Sequence, residues 1–191
     1  MEHEARLGSI LMNSPALRAI LTGAQTLCLC DYYVGAGAVC QTVWNHLCGF
    51  DPLHGISDVD FVYFDDTDLS WEAEDEVVRR VTARFAHLPL QLDVKNQARV
   101  HLWYGSRFGA DIPTYPSLEC AIDTWPTTAS AVGVRLEGEK LDVYAPFGPS
   151  DLMNRVIRPN KRQITREIYK AKCEKWKARW PELTVVPWED A

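Results

Sequence analysis

The sequence lacks any hydrophobic run of the roughly 20 residues that a membrane-spanning helix needs. Its first residues lead into no apolar core and no small-residue cleavage site, so we expect no secretory signal peptide. Glycine and proline are few, at 11 each among 191 residues, and there is no repeat or low-complexity tract. Hydrophobic residues make up 47% and charged residues 24%, as in ordinary globular proteins. We therefore exclude transmembrane, secreted, collagen-like and disordered classes and expect a cytoplasmic protein.

The six cysteines lack the spacing of a zinc site, because none of them forms a CxxC pair. Cys28 and Cys30 alternate with leucines, which predicts a strand with both thiols on one face. We interpret all six as reduced, buried thiols. His46, Cys48 and His54 could in principle gather a metal ion, but their spacing does not repeat, and a metal site is disfavoured there.

Charge is divided unevenly along the chain. The net charge is −6, with +3 in residues 161–191 and −9 in residues 1–160. Eight basic residues between Lys161 and Arg179 face only two acidic ones, which predicts a basic C-terminal helix on an acidic body. A solvated helix face is the first interpretation, and contact with phosphates or a partner is the alternative. General nucleic-acid binding is not expected.

Hydrophobic periodicity predicts helices interleaved with strands. The predicted helices cover residues 14–23, 39–47, 70–85, 96–108, 116–125 and 161–180, with a helical turn at 151–154. The predicted strands cover residues 26–33, 58–64 and 90–95, with a hairpin at 131–144 that turns at Glu137-Gly138. Ser14 and Ser70 are the predicted caps of their helices. This order predicts one layered α+β or α/β domain with a small mixed sheet: a helical segment at 1–24, a core at 25–150, and a basic helix and tail at 151–191.

Three acids stand on the polar faces of two predicted strands. Asp58 and Asp60 share one face, roughly 6.5–7 Å apart, and Asp93 lies on the next strand. Crowded carboxylates raise one another's pKa and are best kept ionised by a hard divalent cation, so we expect Mg²⁺ or Mn²⁺. Two such ions would activate a hydroxyl and neutralise the phosphates of a nucleotide.

A glycine turn precedes these strands, where Gly35-Ala36-Gly37-Ala38 joins a predicted strand to a helix. Such a turn allows close approach of the backbone and offers N–H groups at a helix N-terminus, both suited to a triphosphate. Two acids on a strand are a weak signal by themselves. Together with the turn and Asp93 they indicate a nucleotide site.

Several segments then carry a family resemblance. They are Gly35 to Ala38, Gly55 to Asp60 with Tyr63 to Asp65, Asp93 to Tyr104, Ala145 to Gly148, and Arg158 to Asn160. Together they resemble the nucleotidyltransferase-like family of bacterial proteins in the DNA polymerase β superfamily, over residues 24 to 188. The resemblance implies a polymerase β-like nucleotidyltransferase fold, with helices mainly on one face of the sheet.

The resemblance also implies roles. Asp58 and Asp60 match the family's metal-binding pair and Asp93 its third catalytic acid. Gly35, Gly37 and Ala38 match the nucleotide-binding turn, although Ala38 stands where a serine is usual. The implied reaction moves a nucleotidyl group from an NTP to a hydroxyl of a small molecule, a protein or an RNA end. A catalytically inactive nucleotide-binding or interaction module is the alternative, and a metal-dependent phosphohydrolase is a third. The acceptor, the base and the oligomeric state stay open.

Residues beside Asp93 are secondary candidates. Lys95 could bind a phosphate or form a salt bridge to Asp93, and Arg99 is a candidate phosphate clamp. Asn96 is the predicted cap of the following helix, and His101 is a weak candidate for a general base.

Two other groups favour structural roles. Asp65, Asp66 and Asp68 lack the glycine and glutamate of a calcium loop, so we interpret them as turn and capping acids. Three tryptophans near the C-terminus favour core packing over base stacking; they are Trp176, Trp180 and Trp188.

Overall fold

We describe residues 2–29 and 31–190 in a computed structural model. The helices are α1 (Glu2–Asn13), α2 (Pro15–Ala24), α3 (Ala36–Cys48), α4 (Trp71–Phe85), α5 (Val100–Phe108), α6 (Leu118–Ile122), α7 (Ser150–Met153) and α8 (Arg166–Arg179). The strands are β1 (Tyr32–Gly35), β2 (Asp58–Tyr63), β3 (Gln91–Asn96), β4 (Gly133–Glu137), β5 (Lys140–Tyr144), β6 (Val156–Ile157) and β7 (Thr184–Val185). None of the helices in these ranges is long and apolar enough to cross a bilayer.

A five-stranded mixed sheet organises the chain, in the order β3-β2-β1-β4-β5. Strands β2 and β3 are parallel, and the other neighbours are antiparallel. The register sets Gly35 opposite Asp60 and Asp60 opposite Asp93. The glycine turn and two of the three acids therefore meet across adjacent strands.

The main core lies on one face of this sheet. Val59, Phe61 and Val94 point into it, and residues of α1–α4, α7 and α8 complete it. A smaller cluster joins Tyr33 and Val62 to α6, and alternation along the strands puts these two side chains on the opposite face. The predicted α+β fold, with helices mainly on one face of a small mixed sheet, is confirmed.

Most predicted elements are present, with their ends shifted by a few residues. The acid-bearing strands run over 58–63 and 91–96, and the hairpin turns at Gly138 with a positive φ of 63°. Ser70 caps α4, since its hydroxyl accepts a hydrogen bond of 3.2 Å from the Ala73 amide. Thr165, rather than Lys161, precedes the basic helix and caps it. Helix α3 begins at Ala36, earlier than predicted, so the glycine turn forms its first turn.

The strand predicted at 26–33 is wrong over most of its length. Helix α2 continues through Gly23 into a 3-10 turn at Gln25–Leu27, and Cys28 takes the left-handed conformation with φ 53°. Gly23 does not end the helix: a Cβ there would lie 2.7 Å from the Phe85 ring, so this glycine serves close packing. Ser14 occupies the N-cap position of α2, but its side chain makes no capping bond.

The cysteines are less uniform than predicted. Cys40 and Cys173 are buried, Cys48 and Cys120 are half-buried, and Cys28 is exposed. The expectation of buried thiols is therefore wrong for Cys28 and holds only in part for Cys48 and Cys120. Cys30 lies outside the described residues. Within the described ranges no three His, Cys, Asp or Glu side chains form a metal-binding group, including those around His54.

Candidate active site

All three predicted acids line one cavity. Asp58, Asp60 and Asp93 share it with side chains of α5 and α8, and its volume is about 610 Å³. Asp58 and Asp93 are exposed and Asp60 is half-buried. Alternation along β2 turns Asp58 and Asp60 away from the core, as predicted, because the intervening Val59 is fully buried.

Electrostatics single out Asp60. The pKa of this carboxyl is raised to about 6, mainly by burial and also by the negative charges of Asp58 and Asp93, while the ammonium of Lys172 opposes the shift. A backbone hydrogen bond from Gly37 also lowers the pKa. Burial therefore makes the ionised form of Asp60 costly, and its two acidic neighbours add to that cost.

The glycine turn lies directly against this acid. A Cβ on Gly37 would lie 3.9 Å from the Asp60 carboxylate, and Ala36 and Gly37 both line the cavity. A Cβ on Gly35 would lie 2.5 Å from the Val132 carbonyl oxygen, so glycine is required there for packing. The residues of the turn thus bring the backbone close to the carboxylates.

The structure places the two alanines of the turn differently. Ala38 is fully buried in the core, whereas Ala36 lines the cavity and carries a φ of 50°. A hydroxyl at position 38 would therefore face the core. Of the two alanines, Ala36 is the one that lines the cavity.

The two basic residues predicted to bind phosphate differ in where the structure places them. Lys95 lines the cavity and forms a salt bridge of 2.9 Å to Asp93. Arg99 is buried, pairs with Glu74, and donates a hydrogen bond of 2.8 Å to the Leu69 carbonyl. The structure does not bring Arg99 into the cavity, because its guanidinium is directed to Glu74 of α4 and to the Leu69 carbonyl.

The remaining candidates take structural positions. Asn96 caps the next turn, accepting a hydrogen bond of 3.1 Å from the Ala98 amide, as predicted. His101 does not line the cavity. Asp65 and Asp68 accept hydrogen bonds from residues two positions later, which confirms them as turn acids.

The tryptophans mostly form core, as predicted. Trp176 and Trp180 are 3% and 0% exposed, and both pack edge-on against Trp44. Trp188 is half-buried beside Tyr169. Trp176 also borders the cavity, so this cluster fixes α8 against the site.

Comparison with known proteins shows the family of the chain. A family model described as a nucleotidyltransferase matches residues 22–185. The chain belongs to this nucleotidyltransferase family. A solved structure described as revealing a CCA-adding enzyme head domain is 28% identical, with a TM-score of 0.75, and the match covers 93% of this chain and 94% of that chain. A structure described as a tRNA-processing enzyme in an apo form is 19% identical, with a TM-score of 0.51 over 92% of this chain and 44% of that chain, and shares the fold. No curated protein matches the chain.

The donor set of this nucleotidyltransferase site fits Mg²⁺ or Mn²⁺ by its chemistry. Three carboxylates on adjacent strands are hard oxygen ligands. Burial is the main cause of the raised pKa of Asp60, and a bound cation would favour the ionised form of this carboxyl. The side chains do not converge as a metal-binding group within the described ranges. Two of them have other partners: Ser57 donates a hydrogen bond to Asp58, and Lys95 pairs with Asp93.

The sequence analysis gave contact with phosphates or a partner only as an alternative for the basic helix and named none of its residues as site candidates. Lys172, Lys175 and Arg179 line the cavity, and with Lys95 and Arg107 they make five basic residues around three acidic ones. This balance contrasts with the net charge of −6 and suits an anionic ligand. The signal was present in the sequence, since these α8 residues recur at helical spacing.

Proposed function

We propose that this protein is a metal-dependent nucleotidyltransferase that moves an NMP group from an NTP to a hydroxyl acceptor. The observation that carries the proposal is the register of Asp60 opposite Asp93 on parallel strands, with Asp58 on the same face of β2. The family relationship supports the same reaction class.

The residues of the cavity would divide the work. Asp58, Asp60 and Asp93 would hold Mg²⁺, which supplies charge neutralisation at the phosphates and a more acidic acceptor hydroxyl. Gly37 has no side chain, so the triphosphate would be able to approach its backbone closely. The carboxylates would also accept the proton that the hydroxyl loses. The bond formed joins the acceptor oxygen to the α-phosphorus, and the bond broken releases pyrophosphate.

The acceptor is best sought among RNA ends first, because the relative with a TM-score of 0.75 is described as a CCA-adding enzyme head domain. Small-molecule and protein hydroxyls are the other two classes. Three aromatic residues of α5 line the cavity: Trp103, Tyr104 and Phe108.

Turnover tests the proposal. The purified protein is incubated with Mg²⁺ and α-phosphate-labelled NTPs, separately with RNA, with protein and with metabolite pools. We expect label in one acceptor class and an equal yield of pyrophosphate. Asp58→Asn should abolish both, while Asp66→Asn, an exposed loop acid outside the cavity, should leave them unchanged. Full Mg²⁺-dependent activity of Asp58→Asn would contradict the assignment.

The products also separate the alternatives. Free phosphate or NMP formed without an acceptor would indicate a phosphohydrolase. NTP binding with no product from any pool would indicate an inactive nucleotide-binding module. One observation favours that module: Ala36, the alanine of the turn that lines the cavity, has no hydroxyl that could bind a phosphate.

A further inference from the structure

One face of α8 forms a wall of the cavity. The residues on it recur three or four positions apart, and all line the cavity: Ile168, Ala171, Lys172, Lys175, Trp176 and Arg179. Tyr169 and Cys173 on the adjoining face are buried in the core. The helix therefore holds its basic residues on the same cavity as the three carboxylates.

Lys172 is fixed in place before any ligand binds. Its Nζ lies 4.6 Å from the centroid of the Trp176 ring, a cation–π contact. That ring is itself held, since it is 3% exposed and packs edge-on against Trp44 at 5.0 Å. The ammonium also attracts the Asp60 carboxylate. A positive charge is thus pre-positioned beside the candidate metal ligands.

The basic residues of the cavity differ in what they already bind. Lys95 is paired with Asp93 at 2.9 Å, and Arg179 donates a hydrogen bond of 2.8 Å to the Gly55 carbonyl. Across residues 2–29 and 31–190, neither Lys172 nor Lys175 has a carboxylate at salt-bridge distance. These two lysines can therefore bind an incoming anion without breaking an ion pair.

We propose that Lys172 and Lys175 bind the triphosphate of the donor nucleotide, with Lys172 nearer the carboxylates. Positions three apart on a helix are neighbours, about 5–6 Å apart at Cβ, and the long side chains can converge on adjacent phosphates. A lysine ammonium offers three donors and a compact charge to phosphate oxygens. This inference deepens the proposed function and rests on it for the identity of the nucleotide.

Calorimetric titrations with ligands that differ in their phosphates test the inference. Wild type, Lys172→Met and Lys175→Met are titrated with each NTP, with the matching NMP and with inorganic tripolyphosphate, all with Mg²⁺. Each variant should bind the NTP and tripolyphosphate about 10- to 100-fold more weakly, as expected for a lost charged hydrogen bond. NMP affinity should change little, because the outer phosphates are absent.

Two controls keep the test specific. Lys170→Met removes an exposed charge from the same helix outside the cavity and should leave every affinity unchanged. Lys172→Arg keeps the charge and should restore NTP binding in large part. Should Lys172→Met fail to fold, the exposed Lys175 carries the test by itself.

The outcomes distinguish this inference from the proposed function. Wild-type NTP affinity in both methionine variants would overturn the inference and leave the function standing. Tripolyphosphate binding that the variants lose, with no binding of any NTP, would uphold the phosphate site and overturn the function. No binding of either ligand by the wild type would overturn both.

Discussion

Replacing Asp60 with asparagine should stabilise the metal-free protein at neutral pH. The carboxylate is half-buried on β2, and burial is the largest cause that raises its pKa from 3.8 to about 6. Because the native state holds this proton more tightly than the unfolded chain does, ionising Asp60 costs folding free energy. An asparagine side chain has a similar shape and never ionises, so the variant does not incur that cost.

The magnitude follows from the shift of the pKa. A shift of about two units at roughly 1.4 kcal/mol each gives an upper value near 3 kcal/mol, which partial access of water to the site reduces to about 2 kcal/mol. The sign follows from the raised native pKa: the contribution of Asp60 to wild-type stability falls as the pH rises from about 4 through about 6. Well below pH 3.8 Asp60 is protonated in both the native and the unfolded state, and the difference in stability between variant and wild type should vanish.

Urea denaturation in EDTA between pH 3.5 and 8 measures this. We expect Asp60→Asn to exceed the wild type by about 2 kcal/mol at pH 8 and to match it near pH 4. Asp93→Asn serves as the control: its side chain is 47% exposed and paired with Lys95, so its effect should stay below about 1 kcal/mol. An Asp60→Asn variant that is less stable than wild type at pH 8, or equally stable at every pH, would refute the reasoning.

Three further variants test the packing around the site. Gly35→Ala puts a Cβ 2.5 Å from a backbone oxygen and should lower the free energy of unfolding, measured in urea, by about 1–3 kcal/mol. The control Gly8→Ala lies in a helix, where the nearest atom to its Cβ would be 3.5 Å away, and should be neutral or stabilising. Equal effects of the two substitutions would contradict this account. Arg99→Met should cost roughly 3–5 kcal/mol of unfolding free energy, because Glu74, whose side chain is 14% exposed, loses its ion-pair partner. Adding Glu74→Gln should recover part of that loss without changing NTP affinity; a lost NTP affinity in the folded double variant would restore Arg99 as a phosphate ligand. Asn45→Ala removes a buried amide that accepts a hydrogen bond of 2.7 Å from a tryptophan ring and should cost about 1–3 kcal/mol of unfolding free energy; an unchanged urea midpoint would count against it.

The acid-bearing strands could be predicted because their signal is local. Alternation alone turns Val59 and Phe61 inward and Asp58 and Asp60 outward, and the structure repeats this. The prediction of a strand at 26–33 was wrong because Cys28 adopts a left-handed conformation, which cannot be predicted from a cysteine. Apolar residues there continue a helix instead of forming a strand.

The parts of the site that depend on tertiary packing could not be predicted. Arg99 forms an ion pair with Glu74, 25 positions away in the sequence, and this pairing keeps it out of the cavity. Lys172 reaches the acids only because the tryptophan cluster of Trp44 and Trp176 fixes α8 beside the sheet. A charge run in the sequence gives the sign of that helix but not the surface that it faces.

Calorimetric titration with each of the four NTPs, with and without Mg²⁺, tests the central claim most directly, with the Asp58→Asn/Asp60→Asn double variant beside the wild type. The account predicts binding of at least one NTP that requires Mg²⁺ and that the double variant loses. Undiminished Mg²⁺-dependent binding by the double variant, or no binding by the wild type even with Mn²⁺, would contradict it.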